Sequence, residues 1–315
     1  MTSPQVNDSS SSNWYHTPVL VDEVLTLLRG AGHVLDATLG GGGHAQALLE
    51  HGVAVTALDR DPDALAAART RLRAFELTGQ FRPVLGNFAS LDTLPAVAGQ
   101  RYGGILLDLG VSSHQLDDLE RGFSFREAAP LDMRMGRDAL VTAAMLLNSS
   151  SERELAHIFR AYGDEPRSTR LAREVVRRRA TRPFSTSDDL VAAIRGALGP
   201  RSGPPDFARL FQAVRIAVNG ELGALSTALP ALRDQLEPGG AMVVIAYHSG
   251  EDRLVKHAFR EWSADCICPP RQPVCTCRGH PLGETLTRRP IEASQAERER
   301  NPRARSAKLR AWRAA

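Results

Sequence analysis

The stretch Asp36-Ala37-Thr38-Leu39-Gly40-Gly41-Gly42-Gly43-His44 decides how this chain is read. Four consecutive glycines do not fill a core, because each costs roughly 1 kcal/mol inside a regular element. They suit a backbone that turns tightly and lets a ligand come close. His33-Val34-Leu35-Asp36 reads as a short buried strand, and Ala45 to Glu50 as the start of a helix. Strand, glycine loop and helix in that order set a nucleotide-like ligand at a helix N-terminus. A loose surface loop is the other reading, but the apolar strand and the helix flank the glycines too closely for it.

The ligand is less sharply defined than the loop. Gly40, Gly42 and Ala45 satisfy the G-x-G-x-x-G/A dinucleotide pattern, which alone is a weak signal. Val53 to Asp59 supplies a second strand ending in an acid, 16 residues after Gly43. Folds of this kind set such a carboxylate on ribose hydroxyls. A nicotinamide dinucleotide and S-adenosylmethionine both carry that ribose. Asp36 tips the balance, since an acid ahead of the glycines repels a pyrophosphate and suits a cationic methionine end. The loop favours a methyl donor.

Composition sets the outer limits. With 315 residues, 43% hydrophobic and 24% charged, the chain is long enough for one large globular domain or two ordinary ones. No apolar run approaches the ~18 residues of a membrane span, so no membrane partner is expected. The start of the chain, with Ser9 to Ser12, lacks the layout of a signal peptide, and residues 1–13 are expected to be a disordered tail. A cytoplasmic protein is expected. The net charge of +3 says little about partners.

Phe81 to Leu85 reads as a third strand and Gly104 to Asp108 as a fourth, again ending in an acid. A doubly wound sheet delivers its next strand after one helix. Here the next convincing strand, Ala241 to Ala246, comes much later, after the turn signal Pro238-Gly239-Gly240. The intervening residues read as helices. Ser151 to Glu154 form a capping box, and Ser168 to Ala180 and Ser187 to Leu198 carry apolar residues at helical spacing. The expected fold is therefore α/β: a Rossmann-like sheet with an inserted all-helical domain. The expected division is 14–116 and 208–315 for the sheet domain and 117–207 for the insert.

If these strands hold, the loop 40–44, Asp59, Phe88 and Asp108 gather outside their carboxyl ends, where ligands of open α/β sheets sit. Phe88 could stack on an adenine ring or simply pack in the core. Asp108 could act in the site or be a turn residue, although Leu109 to Ser113 after it is an unusual run.

These segments together resemble the MraW/RsmH family. The resemblance is carried by His16 to Leu20, the 36–44 loop, Leu58 to Asp61, Ile105 to Ser113 and Gln115 to Asp117. It continues through Arg121 to Phe125, Pro130 to Met135, Phe211 to Asn219, Tyr247 to Ser249 and Asn301 to Ser306, and so covers nearly all of residues 16–312. Members resemble one another as class I methyltransferases with a helical insertion. They act on the exocyclic N4 amine of a cytidine in the decoding region of small-subunit (16S) ribosomal RNA. The resemblance implies that Gly42, Gly43, His44, Asp59, Phe88, Asp108 and Gln115 contact S-adenosylmethionine. It likewise draws Asp132, Asn219 and Ser249 to the substrate side, and an assembled or assembling 30S subunit as partner. Two positions depart from the family pattern: Gly250 stands where leucine is common, and Gly41 where arginine is frequent. Glycine at 250 is expected to loosen the turn that carries His248 and Ser249.

A cytosine amine is a poor nucleophile, because its lone pair is delocalised into the ring. Positioning and hydrogen-bond acceptors can supply most of the rate. The Asp108 carboxylate or the carbonyls beyond it are the expected acceptors. His248, at the end of the next strand, either takes the proton or orients the base; a structural strand-end histidine is the alternative.

Between Arg167 and Arg182 lie seven arginines against one acid, Glu174. A second basic run, Arg288 to Arg313, has nine basic residues against three glutamates. Such surfaces pair with phosphates, and Arg177 and Arg178 are the candidate RNA contacts; a solvated helix face is the plain alternative. Cys266-x-Cys268 and Cys275-x-Cys277 lie close in sequence. A structural zinc, reduced free thiols and disulfides all stay open, since C-x-C is tighter than the usual knuckle. Two other functions share parts of this pattern, a nicotinamide-dependent reductase and a non-catalytic RNA-binding protein.

Overall fold

The computed structural model describes residues 18–112, 115–116, 118–125, 128–269, 272 and 274–315. The expected tail 1–13, His16 and Thr17, Ser113 and the boundary residue Asp117 lie outside them. Strands β1 (His33–Asp36), β2 (Ala54–Asp59), β3 (Phe81–Leu85), β4 (Tyr102–Asp108), β5 (Leu236–Ala246), β6 (Gly283–Thr285) and β7 (Lys308–Ala314) form one sheet. Their order is β3-β2-β1-β4-β5-β7-β6. The first five are mutually parallel, and β7 runs antiparallel between β5 and β6. The order reverses between β1 and β4, so a crevice opens at their carboxyl ends. This is the Rossmann-like sheet expected of the sequence.

Central strands of a parallel sheet are covered on both faces and read as near-continuous apolar runs. In β4, Ile105, Leu106 and Leu107 are fully buried, and so are Val243, Val244 and Ile245 of β5. Helices α1 (Val21–Leu27), α2 (Gly43–Glu50), α3 (Pro62–Arg71) and α4 (Arg73–Leu77) stand before β4 in sequence, the last three serving as crossovers. Leu48, Ala68 and Leu72 join one face of the sheet core.

Strand β5 differs from expectation at its start. Pro238-Gly239-Gly240 does not end a preceding segment but bulges out of the strand. Tyr102 pairs with Leu236, whereas Gly104 already pairs with Ala241. Gly239, at φ 79°, takes the left-handed conformation the bulge needs.

Between β4 and β5 lie α5 (Ala143–Ser149), α6 (Glu152–Ala161), α7 (Ser168–Arg179), α8 (Ser187–Leu198), α9 (Pro204–Asn219) and α10 (Glu221–Arg233). The Ser151–Glu154 capping box is formed as read, and Thr186 with Asp189 forms another. Leu155, Phe159, Leu171, Val175, Leu190 and Ile194 make a helical core separate from that of the sheet. Phe207, Leu210, Phe211, Ala213 and Val214 of α9 belong to this same core. Helix α10 packs instead on the sheet, through Leu225, Leu229 and Leu232. After β5 follow α11 (Ser249–Trp262) and α12 (Gln295–Arg300). Among the described residues no helix is long and apolar enough to cross a membrane.

Candidate active site

A cleft of about 1080 Å³, open to solvent, lies at the carboxyl ends of β1, β2, β4 and β5. Its floor is the glycine loop. Asp36 ends β1, and beyond it the chain is held down strand by strand: Leu39 N–H donates to Leu58 O (2.8 Å) and Gly42 N–H to Leu39 O (2.9 Å). Gly42 caps α2 at φ 76°. A Cβ on Gly43 would meet the Pro18 ring at 3.0 Å, so a larger residue there would have to push the ring aside.

Three acids end three neighbouring strands. Asp36 is buried and does not line the cleft; its Oδ1 accepts from Thr38 N–H at 3.1 Å. Burial, reinforced by the nearby Asp108 and Asp59 carboxylates, pushes its pKa up to about 7. The expected direct pairing of Asp36 with a cation is therefore corrected: it braces the loop from beneath. Asp59 does line the cleft, and it accepts from Gly40 N–H at 2.7 Å and Asp61 N–H at 2.8 Å. Burial raises its pKa to about 6 against those two bonds.

Asp108 stands at the centre. Its N–H donates to Thr38 Oγ1 at 2.6 Å, its Oδ1 accepts from the Tyr247 hydroxyl at 2.8 Å, and its Oδ2 lies 3.6 Å from His44 Nδ1. His44 Nε2 donates to Val19 O at 2.9 Å, which turns Nδ1 toward Asp108. Burial and the adjacent Asp108 charge hold the Tyr247 phenol protonated, its pKa well above the ordinary value. Tyr247 stood inside a motif of the resemblance but was given no role from sequence. Its signal was present, since it directly follows the strand beside the one that ends in Asp108.

Gln115 is buried with both ends of its amide used: Nε2 donates to Asp61 at 2.8 Å and Oε1 accepts from Ser112 N–H at 3.1 Å. Asp61 in turn receives Arg121 at 2.7 Å. Phe88 opens a 3-10 turn, lines the cleft and packs on the sheet core. At the rim, Arg60 and Asn87 converge on Asp138 at 2.8 and 2.9 Å, bridging the sheet to the segment after β4.

Other residues chosen from sequence take different positions. His248 does not line the cleft. It caps α11, with Nδ1 accepting from Gly250 N–H at 3.2 Å and Glu251 N–H at 3.4 Å. Its Nε2 lies 3.2 Å from Glu251 Oε1, a Coulombic contact without hydrogen-bond alignment. Reading it as proton acceptor is therefore corrected to a cap, because the ring nitrogen that could accept is already occupied. The same cap answers the expected loosening at Gly250. A Cβ there would approach His248 at 3.1 Å and Leu222 at 3.2 Å, so glycine suits the turn.

Asn219 is also buried with its amide fully used. Its Oδ1 accepts from Met135 N–H at 2.8 Å, and Nδ2 donates to Met133 O at 2.7 Å and Arg215 O at 3.0 Å. It pins the 133–135 segment and stands outside the cleft lining, which corrects its reading as a substrate contact. Asp132 is paired with Arg134 at 2.7 Å, which holds its carboxyl below the usual range despite partial burial. Ser249 Oγ approaches Asp164 at 3.5 Å, outside the cleft lining. Arg215, Glu221 and Glu251 were missed by the sequence reading. Arg215 grips Glu221 at 2.7 and 2.8 Å, and both glutamates line the cleft.

On α7 the arginines are not a bare array. Arg177 and Arg178 both bind Glu174, at 2.6 and 2.7 Å, while Arg177 keeps two thirds of its side-chain surface exposed. The pair of arginines holds the Glu174 carboxyl below its ordinary range. Of the second run, Arg310 is buried against Asp252 at 2.7 Å.

The model of the MraW methylase family matches residues 13–315. The chain is 63% identical over 315 residues, all of both chains, to a protein of Gemmatimonas aurantiaca named ribosomal RNA small subunit methyltransferase H. It is 48% identical to one of the same name from Heliobacterium mobile, over 94% of this chain and 98% of that one. It is also similar, at 11% identity and a TM-score of 0.41 over 93% of each chain, to a solved rRNA methylase from Streptococcus thermophilus. With the family model spanning the sheet, the helical insertion and the cleft alike, this chain belongs to the MraW methylase family.

Proposed function

We propose that this chain methylates the exocyclic N4 amine of a cytidine in the decoding region of small-subunit ribosomal RNA, with S-adenosylmethionine as donor. Its relatives' shared name supports the ribosomal substrate. When bound, S-adenosylmethionine supplies a methyl group activated on a sulfonium sulfur. The fit of the cleft to it rests on its donor set: a loop of glycines for close backbone approach, Asp59 for hydroxyls, apolar Leu39 and Phe88 for a ring.

The observation that carries the reading is the Asp108–Tyr247 pair at the ends of adjacent strands. The phenol donates to one Asp108 oxygen and so fixes the carboxylate, leaving Oδ2 to accept from an amine N–H. Leu109, Gly110 and Val111 also line the cleft and offer carbonyls to the same amine. Acceptors fixed in advance stabilise the charge that develops on the amine without reorganising during reaction. A cytidine taken out of its stack would enter between this edge and the insert, at a cost of a few kcal/mol.

We assign the helices between β4 and β5 to substrate binding, on an assembled or assembling 30S subunit in the cytoplasm. We set the end of that unit at Gly220 rather than 207, because α9 packs in the helical core.

Incubating small subunits that lack the modification with labelled S-adenosylmethionine tests the proposal. One labelled cytidine, in the decoding region and carrying the methyl on N4, is the expected result. Label on a different base or in a protein overturns it. Tight binding of NADH with none of S-adenosylmethionine would favour the reductase.

A further inference from the structure

The four cysteines are not explained by methyl transfer. They lie in the segment between α11 and β6, at the opposite end of the sheet from the cleft. Helix α11 starts at the carboxyl end of β5 and runs back, and β6 pairs with the far end of β7, Gly283 opposite Ala314. Among the described residues this segment has no helix or strand of its own. Its base is closed by Leu282 N–H on Trp262 O at 2.7 Å.

All four sulfurs lie within 4.8 Å of one another. The distances Cys275–Cys277, Cys266–Cys275, Cys277–Cys266 and Cys268–Cys275 are 3.5, 3.7, 3.8 and 3.9 Å. Four sulfurs held tetrahedrally at about 2.3 Å from one ion form a tetrahedron with edges of about 3.8 Å. A disulfide requires about 2.05 Å, so none of these pairs is bonded. The two C-x-C pairs also reach across to each other in the same way. Ile267 N–H, inside the first pair, donates to Cys277 Sγ at 3.3 Å; Thr276 N–H, inside the second, donates to Cys268 Sγ at 3.4 Å. Backbone N–H groups aimed at sulfur stabilise thiolates, as supporting hydrogen bonds do around bound metals. This cross-bracing also accounts for the tight C-x-C spacing, because each pair turns around the other rather than around its own knuckle.

We propose that Cys266, Cys268, Cys275 and Cys277 bind one Zn²⁺ that folds the segment 263–282. A closed set of four thiolates, far from the cleft and with no open position, is a structural site and suits a d¹⁰ ion. On binding, the four thiols lose their protons to solvent as the four Zn–S bonds form. Among the described residues of 263–282 none is buried, so the ion closes a loop that has no core of its own.

Elemental analysis of the purified full chain is expected to find one zinc per molecule. Its four thiols should react slowly with a thiol reagent until a strong chelator is added, and then quickly. Cys266→Ser with Cys275→Ser should lose the metal. Should that variant fail to fold, refolding the unaltered chain with Co²⁺ keeps the test alive, with the visible bands of a tetrahedral cobalt thiolate expected. Metal-free protein with four fast thiols, an intact mass four hydrogens short from two disulfides, or iron in place of zinc overturns the proposal.

Discussion

The Tyr247 hydroxyl donates to Asp108 Oδ1 at 2.8 Å, joining the ends of β5 and β4 across the cleft. Tyr247→Phe keeps the ring and removes only this donor. A hydrogen bond to a charged group is worth about 1.5–3 kcal/mol, so turnover should fall about 10- to 100-fold. Affinity for S-adenosylmethionine, followed by titration calorimetry, should change little. A comparable loss of affinity and turnover would mean the phenol supports binding rather than the carboxylate's orientation.

His248 tests the opposite expectation. As the cap of α11 it can be replaced by another side chain that accepts from the same N–H groups. His248→Asn should retain most turnover and leave the pH–rate profile unmoved. His248→Ala should cost about 1 kcal/mol of stability in urea unfolding, the usual worth of a cap. A lost acidic limb of the pH–rate profile in the asparagine variant would restore His248 as the proton acceptor.

Asp36 makes stability depend on pH. Its pKa is about 7 in the fold and near 3.8 when unfolded. Between those values the folded chain holds the extra proton, so this group's stabilisation is full at low pH and lost as pH rises through about 7. Asp36→Asn keeps the acceptor for Thr38 and removes the ionisation. The variant's melting temperature relative to the parent should therefore rise from about pH 4 to about pH 7 and level off above it. A difference independent of pH would show that Asp36 is not protonated in the fold.

Charge reversal at Arg177 and Arg178 should weaken RNA binding and leave cofactor affinity intact. Two lost phosphate contacts would lower the slope of log affinity against log salt by about two. Because both arginines hold Glu174, Glu174→Gln is the control: it frees them and should not weaken binding. Equal loss of RNA and cofactor would point to damage of the fold.

Local patterns carried most of the fold. Strand β1, the glycines and α2 are contiguous, so their reading needed no distant partner, and the cap at Ser151 announced its helix. Asp59 and Asp108 were legible because a strand-end acid keeps its position whatever the packing. His248 and Asn219 were misread for one shared reason. Polar residues in motifs look like ligand contacts, while only the folded chain shows that Gly250, Glu251, Met133 and Met135 consume their bonding. The Pro238–Gly240 bulge was likewise hidden, since the same residues make a turn when no neighbouring strand continues past them.

Asp59, at the end of β2 and in the lining, makes the cleft a charge filter as well as a mould. Burial raises its pKa to about 6. An occupant with a positive charge draws that proton off, whereas one of the same shape without it does not. Preference for the charged donor over its neutral, demethylated product should thus strengthen as the surroundings become more alkaline. The acidity of the medium becomes a dial on how readily the spent molecule leaves.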